Sequence, residues 1–503
     1  MHKILLTKYL SGVIIFLNFR IIGFTGEVMD NKLTRKYGLF TAICMVVGIV
    51  VGSGIFFKAQ DILGATKGNL PIGVLAWVIG GVIMLVCLLA FSNMAQKYEK
   101  VNGIVDYSEA LVGSRYAYYM GWFTTFIYLP AMTSVLAWVS ARYTLVFLTS
   151  ANPAIQLAIP VEQGGCIVGP ECMCITMFYL CAAYVVNTIS PKIAGIFQTS
   201  TTVIKFIPLV LMVVVGIIYG LANEEHYLVQ NFANNVVPEG DTFSNLLFAA
   251  VCTTAFAYEG WIIATSINAE LRDAKRNLPI ALVLGGIIIM TIYVGYNVGV
   301  AGGNSADNLV SEGATKSFTN IFGGFIGNVL NLFIAISCLG TLNGLMLAST
   351  RGIYALSARG EGPKPEIYSE VDDKTNMPNN SAVLGLLACA AWGVYFYFAN
   401  LSGMFTGIFA FDSSELPIIT IYAMYLPIFI MWIIKAKDQN VIKRFVIPIL
   451  AIIGSCFMVY ACIVKHGISC VGYLVVYAVI MLIGSRFFST NRARIERLWK
   501  RKN

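Results

Sequence analysis

Phe256-Ala257-Tyr258-Glu259-Gly260-Trp261 lies in the middle of an apolar run from Phe243 to Ile267, long enough to span a bilayer. A carboxylate at mid-membrane depth costs several kcal/mol, so Glu259 must face protein or water rather than lipid. Gly260 removes a side chain beside it and weakens the helix there. The stretch therefore predicts a helix that breaks inside the membrane, which is tolerated only where the freed backbone lines a cavity or is buried in protein. Val51-Gly52-Ser53-Gly54-Ile55, with Gly48 one turn earlier, has the same character inside the run Ala42 to Phe57. Two glycine-interrupted spans at corresponding places in two halves of a membrane protein point to a transporter binding site.

The composition agrees. Of 503 residues, 57% are hydrophobic and only 12% charged, with a mean hydropathy of +0.75. A soluble protein carries about 25% charged residues. An all-α polytopic membrane protein is the expected class. The net charge of +8 falls in loops and tails, so no nucleic-acid partner is expected. The twelve cysteines form no CxxC pair with zinc spacing, and the three histidines, His2, His226 and His466, lie outside spans or at their edges. No metal, cofactor or obligatory protein partner is expected, and intramembrane haem ligation by histidine is excluded. Cys166 and Cys172 fall near one loop and are a candidate disulfide pair.

Twelve spans are expected, at 39–63, 71–96, 116–149, 170–189, 193–220, 243–268, 278–302, 321–356, 380–399, 414–435, 442–464 and 468–488. Lys and Arg crowd alternate loops and the tail, while the other loops hold only Lys67, Lys316 and Lys465. The positive-inside rule then places both termini in the cytoplasm of a multi-pass cell-membrane protein. The broken spans are the first and the sixth. A repeat that starts at each has five spans, and an odd-numbered repeat inverts on duplication. The organisation read from this is a cytoplasmic segment 1–37 (with 1–28 an upstream extension), a first repeat 38–220, a second inverted repeat 221–436, and two further spans with a basic tail, 437–503.

The two breaks suggest complementary ligands. At Gly52, Ser53, Gly54 and Ile55, free amides at the N-terminus of the following half-helix suit a carboxylate, and the Ser53 hydroxyl adds a donor. The alternative is close helix packing through Gly48-x-x-x-Gly52. At Phe256, Ala257, Tyr258, Glu259, Gly260 and Trp261, freed carbonyls at a negative dipole end suit an ammonium group. Facing each other, the two describe an α-amino acid. Lys205, a second charge inside a span, either snorkels to the interface or is held against the broken first helix, where it replaces a sodium ion. Ser337 and Asn343 join helices or line the cavity. Asp412-Ser413-Ser414-Glu415 reads as a helix N-terminus.

Taken together these residues resemble the amino acid–polyamine–organocation superfamily, in particular bacterial relatives of the L-type amino acid transporters. Gly52-Ser53-Gly54-Ile55 matches its first-helix G-S/A/T-G-I pattern. Phe256 to Trp261 resembles A-Y-D-G-W with Glu for Asp. Glu270 with Leu278-Pro279 resembles the stretch that closes that helix. Gln198 and Lys205 match a fifth-helix Q…K pair, and Ser337 to Gly344 with Arg351 resembles S-C-x-G-x-x-N-G…R. The chain departs from the pattern at Asp273-Ala274 and at Asn102 to Tyr107, which leaves the substrate open. The resemblance implies a LeuT-like fold of two five-span inverted repeats plus two C-terminal spans. It also implies a permease working by alternating access, as a sodium-independent exchanger (antiporter) or proton symporter. Relatives that take anionic amino acids carry arginine where Leu129 stands, so neutral substrates are expected. Cationic amino acids or polyamines are the alternative. Glu259 either favours a cationic substrate as a fixed anion or carries the coupling proton, and Lys205 shares the coupling role. A non-transporting amino acid receptor is a rival in another class. An intramembrane serine protease built on Ser53 lacks a histidine base within a span, and no filter-like run suggests a channel.

Overall fold

The computed structural model describes residues 38–52, 54–98, 103–159, 169–234, 236–261, 271–375 and 377–488. The proposed extension 1–28, Ser53, Asn102, Cys166 and Glu270 lie outside them. The described residues are helical and form no sheet. Among them eight helices are long and apolar enough to cross a membrane, and one bent pair, Phe206–Ala222 with Tyr227–Ala233, adds a candidate ninth. Shorter apolar helices at Leu39–Gly48, Phe243–Ala257 and Ser469–Ser485 join them. The protein is thus a polytopic helical membrane protein.

The principal helices, in chain order, are α1 (Leu39–Val50), α2 (Gly54–Ala65) and α3 (Leu70–Lys97). Next come α4 (Ser114–Ala151), α5 (Pro170–Ile189), α6 (Pro191–Ile204), α7 (Phe206–Ala222), α8 (Phe243–Ala257) and α9 (Ala274–Ala301). The last are α10 (Ala306–Ser357), α11 (Asn379–Leu401), α12 (Leu416–Lys435), α13 (Ile442–His466) and α14 (Ser469–Ser485). The first expected span is α1 plus α2, two helices with a bend between them. The sixth is interrupted at Ala257. α10 begins well before the expected start at 321, but Gly313 (φ +64°) and Gly323 (φ +79°) bend it into separate pieces. Only glycine adopts such angles at little cost.

The scaffold around the breaks is made of small and polar contacts, as expected where lipid supplies no hydrophobic drive between helices. α7 and α9 approach until a Cβ added at Gly299 would lie 2.1 Å from the Met212 carbonyl oxygen, and one at Gly302 2.3 Å from that of Gly216. α4 and α10 run against each other, with the Thr133 and Ser349 hydroxyls 3.1 Å apart. α9 packs on α1 and α3, while α8 packs on α2, α3 and α13. Both broken segments are therefore held inside the bundle.

Candidate functional site

α1 ends at Val50, where Val51 turns extended (φ −66°, ψ 98°) and Gly52 follows. α8 ends at Ala257. Tyr258 leaves the helical region (φ −85°, ψ 2°), and Gly260 takes φ +98°, a left-handed angle that favours glycine. The hydroxyl of Tyr293 on α9 lies 3.0 Å from the carbonyl oxygens of both Val50 and Ala257. A single side chain thus ties the carbonyl ends of the two breaks together.

The breaks touch. A Cβ added at Gly54, the first residue of α2, would lie 2.7 Å from Ala257 Cα and 3.1 Å from the Phe256 carbonyl oxygen. The N-terminus of α2 and the C-terminus of α8 are therefore neighbours. The first amides of one helix and the last carbonyls of the other are left without intrahelical partners, and carry partial positive and negative charge respectively. This is the polarity that an amino acid's carboxylate and ammonium require. Ile55, in the first turn of α2, is buried.

The predicted site side chains divide. Tyr258 points into the scaffold, its hydroxyl donating to the Trp77 carbonyl at 2.8 Å, and Gly80 and Gly81 make room for it. Trp261 is buried against Phe91 and Tyr425. These two offer backbone rather than side chains to the junction. The Phe256 ring stacks edge-on with Phe57 at 5.8 Å and lies 5.4 Å from the Lys58 ammonium.

Glu259 receives the Tyr128 hydroxyl at 2.5 Å. Its Oε2 is buried and has no hydrogen-bond partner among the described residues. Tyr128 is positioned by a π-helical turn at Thr124–Tyr128 inside α4, a feature common at functional sites. The cause lies two residues on. Pro130 has no N–H and crowds the carbonyl four residues back, that of Phe126, which instead accepts the Trp392 indole N–H at 2.9 Å.

Lys205 is buried, and its ammonium donates to the Gly48 carbonyl at 2.6 Å. That carbonyl is in the last turn of α1, the negative end of its dipole. Lys205 itself sits in the break between α6 and α7, three residues before Pro208, whose ring disturbs the helix upstream. The snorkelling alternative is thus not the observed conformation.

Leu129 lines a cavity of about 220 Å³ between α4 and α10, with Thr124, Thr125, Arg351 and Arg359 among its walls. Asn343 joins helices. It receives the Asn187 amide at 3.0 Å and donates to the Ala194 carbonyl at 3.2 Å. Ser337 is buried with its hydroxyl unpartnered among the described residues, one turn from Thr341, which faces Gly52.

A second polar centre is not apparent from the sequence. Lys58 on α2 is buried and donates to Glu415 Oε1 at 2.9 Å and to Ser414 at 3.1 Å. Lys465 reaches both Glu415 oxygens, at 2.8 and 2.7 Å, and His466 lies 3.0 Å from Oε2. Asp412 does cap this helix start, accepting the Ser414 and Glu415 amides, but Glu415 is the hub of a buried ion network. Lys465, expected in a loop, belongs to it. The available signal is Lys58 itself, a charge inside a span.

Comparison with known proteins bears on what this arrangement serves. A family profile described as "Amino acid permease" matches residues 37–485. The serine/threonine exchanger SteT of Bacillus subtilis is 27% identical over 452 residues, 88% of this chain and 94% of its own length. The human large neutral amino acids transporter small subunit 2 is 25% identical over 347 residues, 69% of this chain and 62% of its own. The mouse b(0,+)-type amino acid transporter 1 is 23% identical over 458 residues, 88% and 85% of the two chains.

Proposed function

The chain belongs to the amino acid permease family and transports amino acids, and from that premise we propose that it moves neutral amino acids across the cytoplasmic membrane by alternating access. The observation that carries the substrate reading is the contact of the α2 N-terminus with the α8 C-terminus at Gly54 and Ala257. Opposed helix ends there present amides to a carboxylate and carbonyls to an ammonium. Gly52, Ser53, Gly54 and Ile55 form the first half of this site, and the backbone of Phe256 to Gly260 the second. Neutral side chains are favoured because Leu129 stands where relatives that take anionic amino acids carry arginine, and because the exchanger of Bacillus subtilis is named for serine and threonine.

The architecture in this reading has twelve spans, two five-span inverted repeats with α1–α2 and α8 at their broken starts, and both termini in the cytoplasm. A permease needs no reaction chemistry, in keeping with the transporter relatives. Lys205 places a fixed ammonium on the Gly48 carbonyl, where a sodium ion would otherwise neutralise the dipole end. Transport is then independent of sodium and runs as exchange or proton symport.

Glu259 supports one of two roles. Its Tyr128 hydrogen bond and unpartnered Oε2 suit a group that takes up and releases a proton, because an unpaired buried charge is costly. The same free oxygen favours a second reading, a cationic substrate whose side chain pairs with it. Proteoliposomes loaded with or without internal amino acid, and offered a panel of labelled amino acids, test both readings. Serine, threonine or other neutral substrates are expected to enter fastest and to need no Na⁺. Preferred entry of lysine or arginine supports the second reading, and no uptake of any amino acid overturns the proposal.

A further inference from the structure

The ion network around Glu415 includes His466 and adjoins two cysteines, and the transport reading uses none of the three. Cys252 on α8, Cys462 on α13 and His466 at the end of α13 hold one ligand atom each within 4.8 Å of one another. Cys462 and His466 are four residues apart, so they share one face of the helix, the spacing by which helical ligand pairs grip a metal. Cys252 comes from a different element, α8, and completes the set. Composition alone does not reveal it because the two cysteines are far apart in sequence.

Glu415 stands beside two of these three. Its Oε2 lies 3.0 Å from His466 Nε2 and 3.6 Å from the Cys252 thiol. Its Oε1 faces the other way, to Lys58 at 2.9 Å. Lys465 reaches both oxygens, at 2.8 and 2.7 Å, so an ion on Oε2 takes the place of the Lys465 ammonium there while Lys58 keeps Oε1, as carboxylate ligands are held by outer-shell partners. A tetrahedral zinc site has ligand atoms about 3.5–3.8 Å apart. The set must contract by about 1 Å from its outer limit, within reach of side-chain rotation.

The charges allow a dication. Asp61, Asp412 and Glu415 outweigh Lys58 and Lys465 by one negative charge. Two thiolates add two more, and a divalent ion brings the total back to one. Access is from the end of α13. His466 and Lys465 are partly exposed, with side chains 11% and 22% accessible, and Cys470 beside them is half-buried.

We propose that Cys252, Cys462 and His466, with Glu415 as fourth ligand, bind a thiophilic divalent cation of the zinc type, and that the ion clamps α8 to α12 and α13. α8 carries the ammonium half of the transport site, and Lys58 ties α2, which carries the carboxylate half, to the same Glu415. An ion here immobilises both half-helices against the surrounding bundle. The clamp rests on the transport reading; the binding does not.

The test uses the purified full chain, reduced and then freed of reductant without oxygen, with Zn²⁺ alone as the probe. One zinc per chain is expected. Cobalt in its place is expected to show thiolate-to-cobalt charge-transfer absorption, which needs no variant. Cys252→Ser, Cys462→Ser and His466→Gln should each weaken zinc binding roughly tenfold or more, whereas Cys181→Ser, at an exposed position on α5, should not. In proteoliposomes zinc should slow exchange, a chelator should restore it, and Cys252→Ser should be insensitive. Absence of stoichiometric zinc and of the cobalt band overturns the site. So does binding unchanged in both cysteine variants, or a Cys252–Cys462 disulfide that persists after reduction. Stoichiometric zinc with no effect on exchange overturns the clamp and leaves the site standing.

Discussion

Gly54→Ala is the most direct probe of the junction between the two breaks. The new Cβ would start 2.7 Å from Ala257 Cα and 3.1 Å from the Phe256 carbonyl oxygen. Carbon atoms in contact sit about 3.5–4.0 Å apart, so α2 and α8 must separate by about 1 Å. The two nearest atoms are backbone and cannot rotate away. Overpacking of this kind costs about 1–3 kcal/mol, which a large membrane protein survives. The functional loss is larger. A shift of about 1 Å breaks alignment of a backbone hydrogen bond to a charged carboxylate, worth about 1.5–3 kcal/mol, or roughly ten- to a hundredfold in apparent affinity. Gly54→Val adds two more methyl groups and should abolish uptake. Gly64→Ala, on the same helix, is the control, because its Cβ meets nothing within 4 Å. The assay is initial-rate uptake of labelled serine in proteoliposomes, with each variant matched for reconstituted protein. Wild-type uptake by a well-expressed Gly54→Ala would refute the assignment of the substrate carboxylate to these amides.

Four further outcomes are expected. Replacing Na⁺ by choline should leave wild-type uptake unchanged, while Lys205→Met, which loses the contact to the Gly48 carbonyl, should slow it at least roughly tenfold (a loss on the scale of a charged hydrogen bond); a sodium requirement in the wild type would contradict the coupling role. Glu259→Gln should remove the pH dependence of neutral amino acid uptake while exchange survives, whereas selective loss of cationic substrates would assign Glu259 a fixed charge instead. Glutamate and aspartate should be poor substrates, since Leu129 stands where relatives that take anionic amino acids carry arginine; efficient glutamate uptake competed by aspartate would count against this. Burial pushes the Glu361 carboxyl, in the loop after α10, up from 4.5 to about 7, only partly offset by the charge of Arg359. A carboxyl whose pKa rises on folding stabilises the protein in its protonated form, fully so below about pH 4.5, and this contribution is lost as pH rises through about 7. Melting temperature in detergent should therefore fall across that window, and Glu361→Gln should flatten the fall; identical profiles would remove the assignment.

The helical membrane class was legible in the chain because the constraint behind it is local. Every apolar run of about 20 residues must satisfy its own backbone in lipid, so runs, loop charges and breaks appear directly in the order of residues. Glu259 beside Gly260, and three glycines around Val51, marked both interruptions, since a charge in lipid and a residue without Cβ each act through their own segment. Lys205 was visible as a charge within a span, but its partner was not. Whether it reached the interface or the Gly48 carbonyl depended on how α7 lies against α1.

Tertiary structure alone decided the relations between segments. Tyr293 bridges Val50 and Ala257 although nothing in its apolar surroundings distinguishes it. The inward turn of the Tyr258 and Trp261 side chains, away from the junction, follows from space left by Gly80 and Gly81 and from the ring contact with Phe91. Lys58, Glu415 and the Lys465-His466 pair come from distant stretches, and all but Lys58 read alone as helix-end or interface charges. Burial makes them a unit, because none is tolerated inside the bundle without the others. A single sequence records which residues must avoid lipid; which of them meet is set by helix packing, where partners hundreds of residues apart become neighbours.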